Sequence, residues 1–182
     1  MSRKPLGNEY EIRGDITAIK LRRKNGSIET IIDTKDLVKV KSFRGSWYPR
    51  WNETTKSFYV QGSLVINDKR ITPRLHRWIM DTPDNLCVDH INHNTLDNRR
   101  SNLRNVTRAE NQQNIKEIIQ TNKSGYRGVS WHSPGKKWRA RSRVNGSEVH
   151  LGLFSDINEA AKVACDFRIA NMPGYIHEGY KK

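Results

Sequence analysis

Four polar residues between positions 89 and 111 have the types and spacing of a hydrolytic site. Asp89 and His90 end a short apolar run, Asn102 follows a loop, and Asn111 falls in a predicted helix. Carboxylate and amide oxygens are the ligands that Mg²⁺ and Mn²⁺ prefer. An imidazole with an ordinary pKa of about 6.5 can take a proton from water near neutral pH. Together these side chains could form a single-metal site that hydrolyses a phosphodiester.

The sequence around these residues predicts a strand, a loop, a second strand and a helix. Apolar residues before His90 form the first run, and residues 102–106 form the second. Thr107 and Glu110 form a capping box, in which each side chain satisfies a backbone amide of the other. A helix should therefore begin at Thr107 and continue to about 119.

The motifs VDHIN, LDNRRSNLR and EN together resemble the HNH endonuclease family of phage and intron-encoded homing enzymes, over about 72–115. The resemblance implies a ββα-metal fold in which His90 is the general base and Asn102 holds the loop and the base. It also implies that Asp89 and Asn111 bind the metal. Asn111 stands where the family name has a histidine, as in an H-N-N branch, so we expect Mg²⁺ or Mn²⁺ rather than zinc.

Adjacent residues on a regular strand point to opposite faces. The strand is therefore expected to end or bulge at Asp89-His90 if both residues serve one site.

A structural zinc site at His90-x-x-His93, with Cys87 or His76, is a weaker alternative because no second ligand pair has finger-like spacing. We interpret His76 as structural, since a single histidine on an apolar helix usually is.

The composition favours small modules and a nucleic-acid partner. The 182 residues contain 33 Lys and Arg against 19 acids, a formal charge of +14 that is spread along the chain. Such an excess points to a polyanion, although a ribosomal-type protein or a merely basic surface is an alternative. The two cysteines lack paired spacing, and no apolar stretch is long enough to span a membrane,. We therefore expect a soluble cytoplasmic protein.

Residues 1–71 are predicted to form a β-rich amino-terminal region that extends the DNA footprint. Short β-type runs alternate there with turn signals, including the hairpin cue Asn25-Gly26,. Five aromatic residues are expected to form its core rather than a surface for stacking bases: Trp47, Tyr48, Trp51, Phe58 and Tyr59,. The nuclease core should then occupy 72–119, followed by a linker at 120–125.

Residues 126–171 are predicted to form a three-stranded antiparallel sheet and a helix, followed by a tail at 172–182. Turn signals at Pro134-Gly135 and Asn145-Gly146 separate the strands,. Alternation places three arginines on one face of the central strand, and Glu148 and His150 with them. The opposite, core-facing set of the third strand is expected to comprise Val149, Leu151 and Leu153. The arginine face could be merely solvated, but three adjacent cations favour a bound anion.

The motifs YRGV, KKW and HLGLF make this module resemble the AP-two/ERF DNA-binding domain of plants, over about 124–170. In that family, residues of the sheet face contact bases and phosphates of DNA. The expected DNA-binding residues here are Arg127, His132, Arg139, Arg141, Arg143 and His150. Several family arginines are replaced, at Ser130, His132 and Glu148, so the target sequence does not carry over.

Taken together, the sequence predicts an α+β protein that is a metal-dependent homing-type endonuclease acting on double-stranded DNA without a small-molecule cofactor. The alternative is a DNA-binding regulator whose nuclease site is degenerate. The sequence leaves open whether one strand or both are cut, and whether a protein partner binds.

Overall fold

The computed structural model of the chain describes residues 7–114 and 122–177. The described residues form a mixed α/β structure with several small sheets and few helices. The chain divides into two compact units, Met1–Thr107 and Arg108–Lys182. The division falls inside the segment 72–119 that the sequence predicts as one nuclease core. No described helix is long and apolar enough to cross a membrane.

Antiparallel strands build most of the first unit. The strands are β1 (Glu9–Arg13), β2 (Ile16–Arg23), β3 (Gly26–Asp33), β4 (Ser46–Asn52), β5 (Ser57–Ile66), β6 (Lys69–Ile71), β7 (Cys87–His90) and β8 (Leu103–Val106). They form sheets in the orders β1-β2-β3, β4-β5-β6 and β7-β8. The helices are α1 (Leu37–Lys41) and α2 (Leu75–Met80). The predicted hairpin cue Asn25-Gly26 is confirmed, since it lies at the turn between β2 and β3.

One hydrophobic core joins the amino-terminal sheets to the segment that follows residue 71. Trp47 and Val60 pack in the same cluster as Leu75 and Leu103. The indole nitrogen of Trp47 donates to the Val40 carbonyl at 3.2 Å, so its one polar atom is satisfied,. Residues 7–71 therefore provide much of the surface on which α2 and β8 are buried.

The predicted aromatic core is confirmed at Trp47 and wrong at Trp51. Trp47 is 2% exposed and lies 4.5 Å from the ring of Phe43. Trp51, near the end of β4, packs against Phe58 but remains 39% exposed. An aromatic side chain on a strand need not be buried where the strand extends past the core.

The second unit contains the antiparallel sheet and the helix predicted for 126–171. Its elements are α3 (Arg108–Gln113), β9 (Val129–His132), β10 (Lys137–Val144), β11 (Ser147–Phe154) and α4 (Ile157–Asn171). Its sheet has the order β11-β10-β9. Asp156 caps α4 by accepting from the amides of Asn158 and Glu159,. The predicted continuation of α3 through 115–119 lies outside the described residues.

A bulge in β11 overturns the expected face of one residue. Ala140 pairs with Gly152 and Arg141 pairs with His150, so the intervening Leu151 has no partner in the register. Gly152 adopts a φ of +134°, a backbone conformation that favours glycine,. Leu153 therefore lies opposite Arg139 on the arginine face, where it is 38% exposed, and its expected core position is wrong.

The shared core predicts a large stability difference between two truncations in the first unit. Leu75→Ala should lower the free energy of unfolding by about 2–5 kcal/mol, because Leu75 is fully buried in the cluster,. Val38→Ala should change it by less than about 0.5 kcal/mol, because Val38 is 82% exposed,. Urea denaturation of both variants measures this, and similar losses would contradict a core shared across residue 71.

Candidate active site

β7 remains regular up to the end of the strand, and this separates two of the predicted site residues. Asp89 pairs with Arg104 and His90 pairs with Leu103 in an uninterrupted antiparallel register. The strand then ends in a turn in which the His93 amide donates to the His90 carbonyl at 3.0 Å. Of the two expected departures from a regular strand, β7 ends at His90 but has no bulge before it, so the Asp89 and His90 side chains point to opposite faces,.

Asp89 forms a charge-assisted pair with its cross-strand neighbour. Arg104 donates to Asp89 Oδ2 from Nε at 2.9 Å and from Nη2 at 2.7 Å. The Asp89 side chain is only 7% exposed, so solvent weakens this pair less than a surface pair,. A metal ion at Asp89 would bind a carboxylate that Arg104 also holds.

His90 lies in a small buried cluster of rings. It is 5% exposed, and its ring centroid is 5.1 Å from that of His76 and 6.0 Å from that of Tyr59. Burial lowers the pKa of His90 below 6.5, although the contact with Asn98 opposes this shift,. The imidazole is therefore neutral at neutral pH, as a general base must be.

A chain of hydrogen bonds selects the tautomer of His90. Asn98 Nδ2 donates to Thr30 Oγ1 at 2.8 Å, and the Thr30 hydroxyl donates to the Leu96 carbonyl at 2.6 Å. These bonds direct Asn98 Oδ1 towards His90 Nε2, 3.4 Å away. An amide oxygen can only accept, so Nε2 carries the ring proton in this contact. Nδ1 is then the ring nitrogen whose lone pair is available.

Asn102 holds the loop that joins β7 to β8. Its Oδ1 accepts from the Asn92 amide at 2.9 Å, and its Nδ2 donates to the Asp97 carbonyl at 2.8 Å. Its own carbonyl accepts from the Ile91 amide at 2.9 Å. One buried amide thus links the start and the middle of the loop, which suits the loop-holding role expected from the sequence.

The amino-terminal sheet anchors the same loop from the other side. The Ile31 amide of β3 donates to the Leu96 carbonyl at 3.0 Å, and the Asn98 amide donates to the Ile31 carbonyl at 2.8 Å. Thr95 Oγ1 donates to the Phe58 carbonyl at 2.7 Å. Sequence reasoning missed Thr30 and Asn98. Asn98 stands within the motif LDNRRSNLR, but nothing in the sequence identifies Thr30, which is 68 positions away.

His76 is a second buried imidazole beside His90. It is 3% exposed, and its ring is perpendicular to that of His90, at an interplanar angle of 89°. Its Nδ1 is buried without a hydrogen-bond partner within the described residues. Over that same part of the chain, no group of three or more His, Cys, Asp or Glu side chains could hold a metal ion. The described residues therefore give no support to the zinc alternative at His90-x-x-His93.

Asn111 is half-buried on α3, in the second unit. Within that unit, the backbone of Gln113 accepts from Arg127 Nη1 at 2.9 Å, and its side chain accepts from the Gly174 amide at 2.8 Å. Of the four predicted site residues, the first unit therefore contains Asp89, His90 and Asn102. Thr30 and Asn98, which were not predicted, support His90.

The residues expected to contact DNA divide into two groups in the second unit. Arg139, Arg141, Arg143 and His150 belong to the face of the sheet defined by the β10 register. Within this face Arg141 is paired with Glu148 at 2.9 Å, and Arg143 Nε donates to the Gly146 carbonyl. His132 pairs with Lys137 on the same face, and its Nδ1 accepts from the Gly135 amide of the turn. Arg127 lies outside the strands, where it is engaged by Gln113.

Comparison with known proteins finds a match for the segment that contains Asp89, His90 and Asn102. Residues 75–113 match the family model described as HNH endonuclease, which supports an HNH nuclease acting on DNA. Nucleases of this family are generally metal-dependent. An uncharacterized protein of Acanthamoeba polyphaga mimivirus is 43% identical over 53 residues, which are 29% of this chain and 16% of that protein. No solved structure matches the chain.

His76 should make the stability of the fold depend on pH. Burial, and then the charges of His90, Arg74 and Arg77, hold the pKa of His76 well below 6.5. The unfolded chain therefore binds a proton that the folded chain rejects, so stability is full above about pH 6.5 and falls as the pH is lowered. Urea midpoints at about pH 7.5 and about pH 5.5 measure this, and His76→Phe should reduce the difference. An unchanged difference in that variant would rule out His76 as its source.

Proposed function

We propose that this chain is a metal-dependent, homing-type DNA endonuclease of the HNH class that hydrolyses phosphodiester bonds of double-stranded DNA. The observation that carries the proposal is the state of His90. Its imidazole is buried, neutral and fixed in one tautomer by Asn98, and it lies in the segment that matches the HNH endonuclease model.

His90 is the general base in this proposal. Nε2 keeps its proton and donates a hydrogen bond to Asn98 Oδ1, which leaves Nδ1 to take the proton from the water that attacks phosphorus,. Asn102 keeps the loop closed against the end of β7, so that the imidazole does not have to be ordered at each turnover,.

We propose Asp89 and Asn111 as the metal ligands within a ββα-metal arrangement. Their donor atoms are a carboxylate and an amide oxygen, which suit Mg²⁺ or Mn²⁺ better than zinc. Arg104 orders the Asp89 carboxylate at the strand position that precedes the base. Because the Asp89 and His90 side chains leave β7 on opposite faces, this proposal requires the metal and the base to act on one phosphate at the end of the strand,. A bound divalent cation would supply neutralisation of the charge on the phosphate oxygens.

The second unit is proposed to select the DNA, in the manner of an AP-two/ERF-like domain. Its arginine face carries Arg139, Arg141 and Arg143 on one strand, and only Arg141 has an acidic partner among the described residues. Such a face suits the phosphates and base edges of a major groove. Arg127, His132 and His150 are proposed as further contacts.

One observation favours a second candidate function. Arg104 donates twice to the oxygen of Asp89 that a metal could also use, and this competition would weaken metal binding. A DNA-binding regulator with a degenerate nuclease site would keep this ion pair permanently. It would bind duplex DNA and leave it intact in Mg²⁺ and in Mn²⁺.

His90→Ala separates these two functions. If His90 is the base, the variant should nick supercoiled plasmid at least about 100-fold more slowly in Mg²⁺ or Mn²⁺, because an imidazole base contributes about 10²–10⁴-fold. Duplex affinity, measured without divalent metal, should stay nearly the same. His93→Ala is the control, since His93 lies in the same loop and should keep its cutting rate. Continued cutting by His90→Ala would exclude His90 as the base, and an inert wild type would favour the regulator.

The sheet gives a second prediction. If Arg143 contacts a base edge, Arg143→Ala should weaken binding to the cognate duplex by about 1–3 kcal/mol. The variant protein should also discriminate less between related DNA sites. Lys162→Gln is the control, since Lys162 lies exposed on α4 in an ion pair with Asp166. Competition binding with cognate and scrambled duplexes measures both effects, and an equal loss on the two duplexes would limit Arg143 to the phosphate backbone.

A further inference from the structure

A groove of about 620 Å³ opens in the second unit beside the start of β9. Its walls come from the chain at 122–128, from strands β9 and β10, and from the end of α4. The basic side chains that line it are Lys123, Arg127, Arg141, Arg143 and Arg168. Among the described residues that line it, the one acidic side chain, Glu148, is already paired with Arg141. The groove therefore carries an excess of positive charge.

Arg168 is the least expected of these cations, because it is 5% exposed. Its Nη1 donates to the Arg127 carbonyl at 2.9 Å, and its guanidinium lies 5.0 Å from the centre of the Tyr175 ring. Its Nε is buried without a hydrogen-bond partner, and no carboxylate pairs with Arg168 within residues 7–114 and 122–177. Buried arginines are normally paired with an anion.

A second guanidinium lies next to Arg168. Arg127 is 5.8 Å from the centre of the same Tyr175 ring, and burial followed by the charge of Arg168 lowers the pKa of Arg127. Two guanidiniums that share one aromatic ring repel each other, and an anion between or beside them would relieve this repulsion.

Gly128 allows the loop to come this close to the strand. It adopts a φ of +82°, and a Cβ there would lie 2.4 Å from the Arg141 carbonyl oxygen and 3.2 Å from Arg168 Nη1. Arg141 in turn donates its amide to the Gly128 carbonyl at 2.8 Å. The glycine of the motif YRGV thus brings Arg168 and β10 to the same small space.

We infer that this groove binds a phosphate group of a nucleic-acid strand, with Lys123 and Arg168 as contacts in addition to the residues of the arginine face. Guanidinium groups bind phosphate oxygens through paired, charge-assisted hydrogen bonds, and Lys123 adds an exposed ammonium at the rim,. The inference rests on the proposed DNA binding of the second unit for the source of the phosphate, but not on cleavage.

The test compares the full-length Lys123→Gln, Arg168→Gln and Lys162→Gln variants with the wild type. Duplex affinity is measured between about 50 and 200 mM salt without divalent metal. Each lost phosphate contact reduces the magnitude of the negative slope of log K against log salt by about 0.9. The magnitude of the slope should fall for Lys123→Gln and Arg168→Gln and remain unchanged for the control Lys162→Gln. Circular dichroism verifies that Arg168→Gln is folded, and Lys123→Gln, at an exposed position, gives the same test if it is not.

A second measurement distinguishes DNA phosphate from free phosphate. Inorganic phosphate should raise the thermal midpoint of the wild type relative to chloride at equal ionic strength, and raise that of Lys123→Gln less. Stabilisation by phosphate with unchanged salt slopes would assign the groove to a free phosphate and overturn the DNA source. Unchanged slopes together with no stabilisation would overturn the inference. A wild type that fails to bind DNA would instead refute the proposed function, and the phosphate measurement would still decide the groove.

Discussion

The geometry of the candidate site depends on the hydrogen bonds between the loop at 91–101 and strand β3. Thr30 fixes the orientation of the Asn98 amide, and Asn98 then fixes which nitrogen of His90 carries the proton. Ile31 donates one backbone hydrogen bond to the loop and accepts another from it, and these two bonds hold the loop in register with the strand. Because an amide can rotate by half a turn and still fill the same space, packing alone would leave the tautomer of His90 undetermined. The amino-terminal sheet is thereby part of the site's support, beyond any part it has in contacting DNA.

The regular strand β7 gives its two adjacent polar residues different environments. Asp89 faces Arg104 across the ladder and is held as an ion pair, whereas His90 faces the opposite side among the rings of Tyr59 and His76. A buried carboxylate requires a cation nearby, and a general base requires surroundings that keep it neutral. Opposite faces of a single strand meet both requirements with residues that are neighbours in sequence.

Among the described residues of the second unit, several arginines have no acidic partner. Arg141 is paired with Glu148, but Arg143 has a backbone carbonyl as its partner, and Arg168 has a carbonyl and an aromatic ring. Such an arrangement lowers the stability of the free protein through repulsion and desolvation. It is expected where a polyanion completes the charge balance on binding, which agrees with a formal charge of +14 spread along the chain.

The sequence by itself determined the features that depend on local pattern. The motif around His90 and Asn102, the order of strand, loop, strand and helix, and the antiparallel sheet of the second unit all follow from residue types at short spacing,. Other features depend on residues that meet only in the folded chain. These are the pairing of Asp89 with Arg104, the support of His90 by Asn98 and Thr30, the bulge that turns Leu153 to the arginine face, and the buried Arg168. Periodicity shows which face of a strand is apolar, but it does not show which distant strand supplies the neighbour or where one extra residue shifts the register. Only the tertiary structure could decide those contacts.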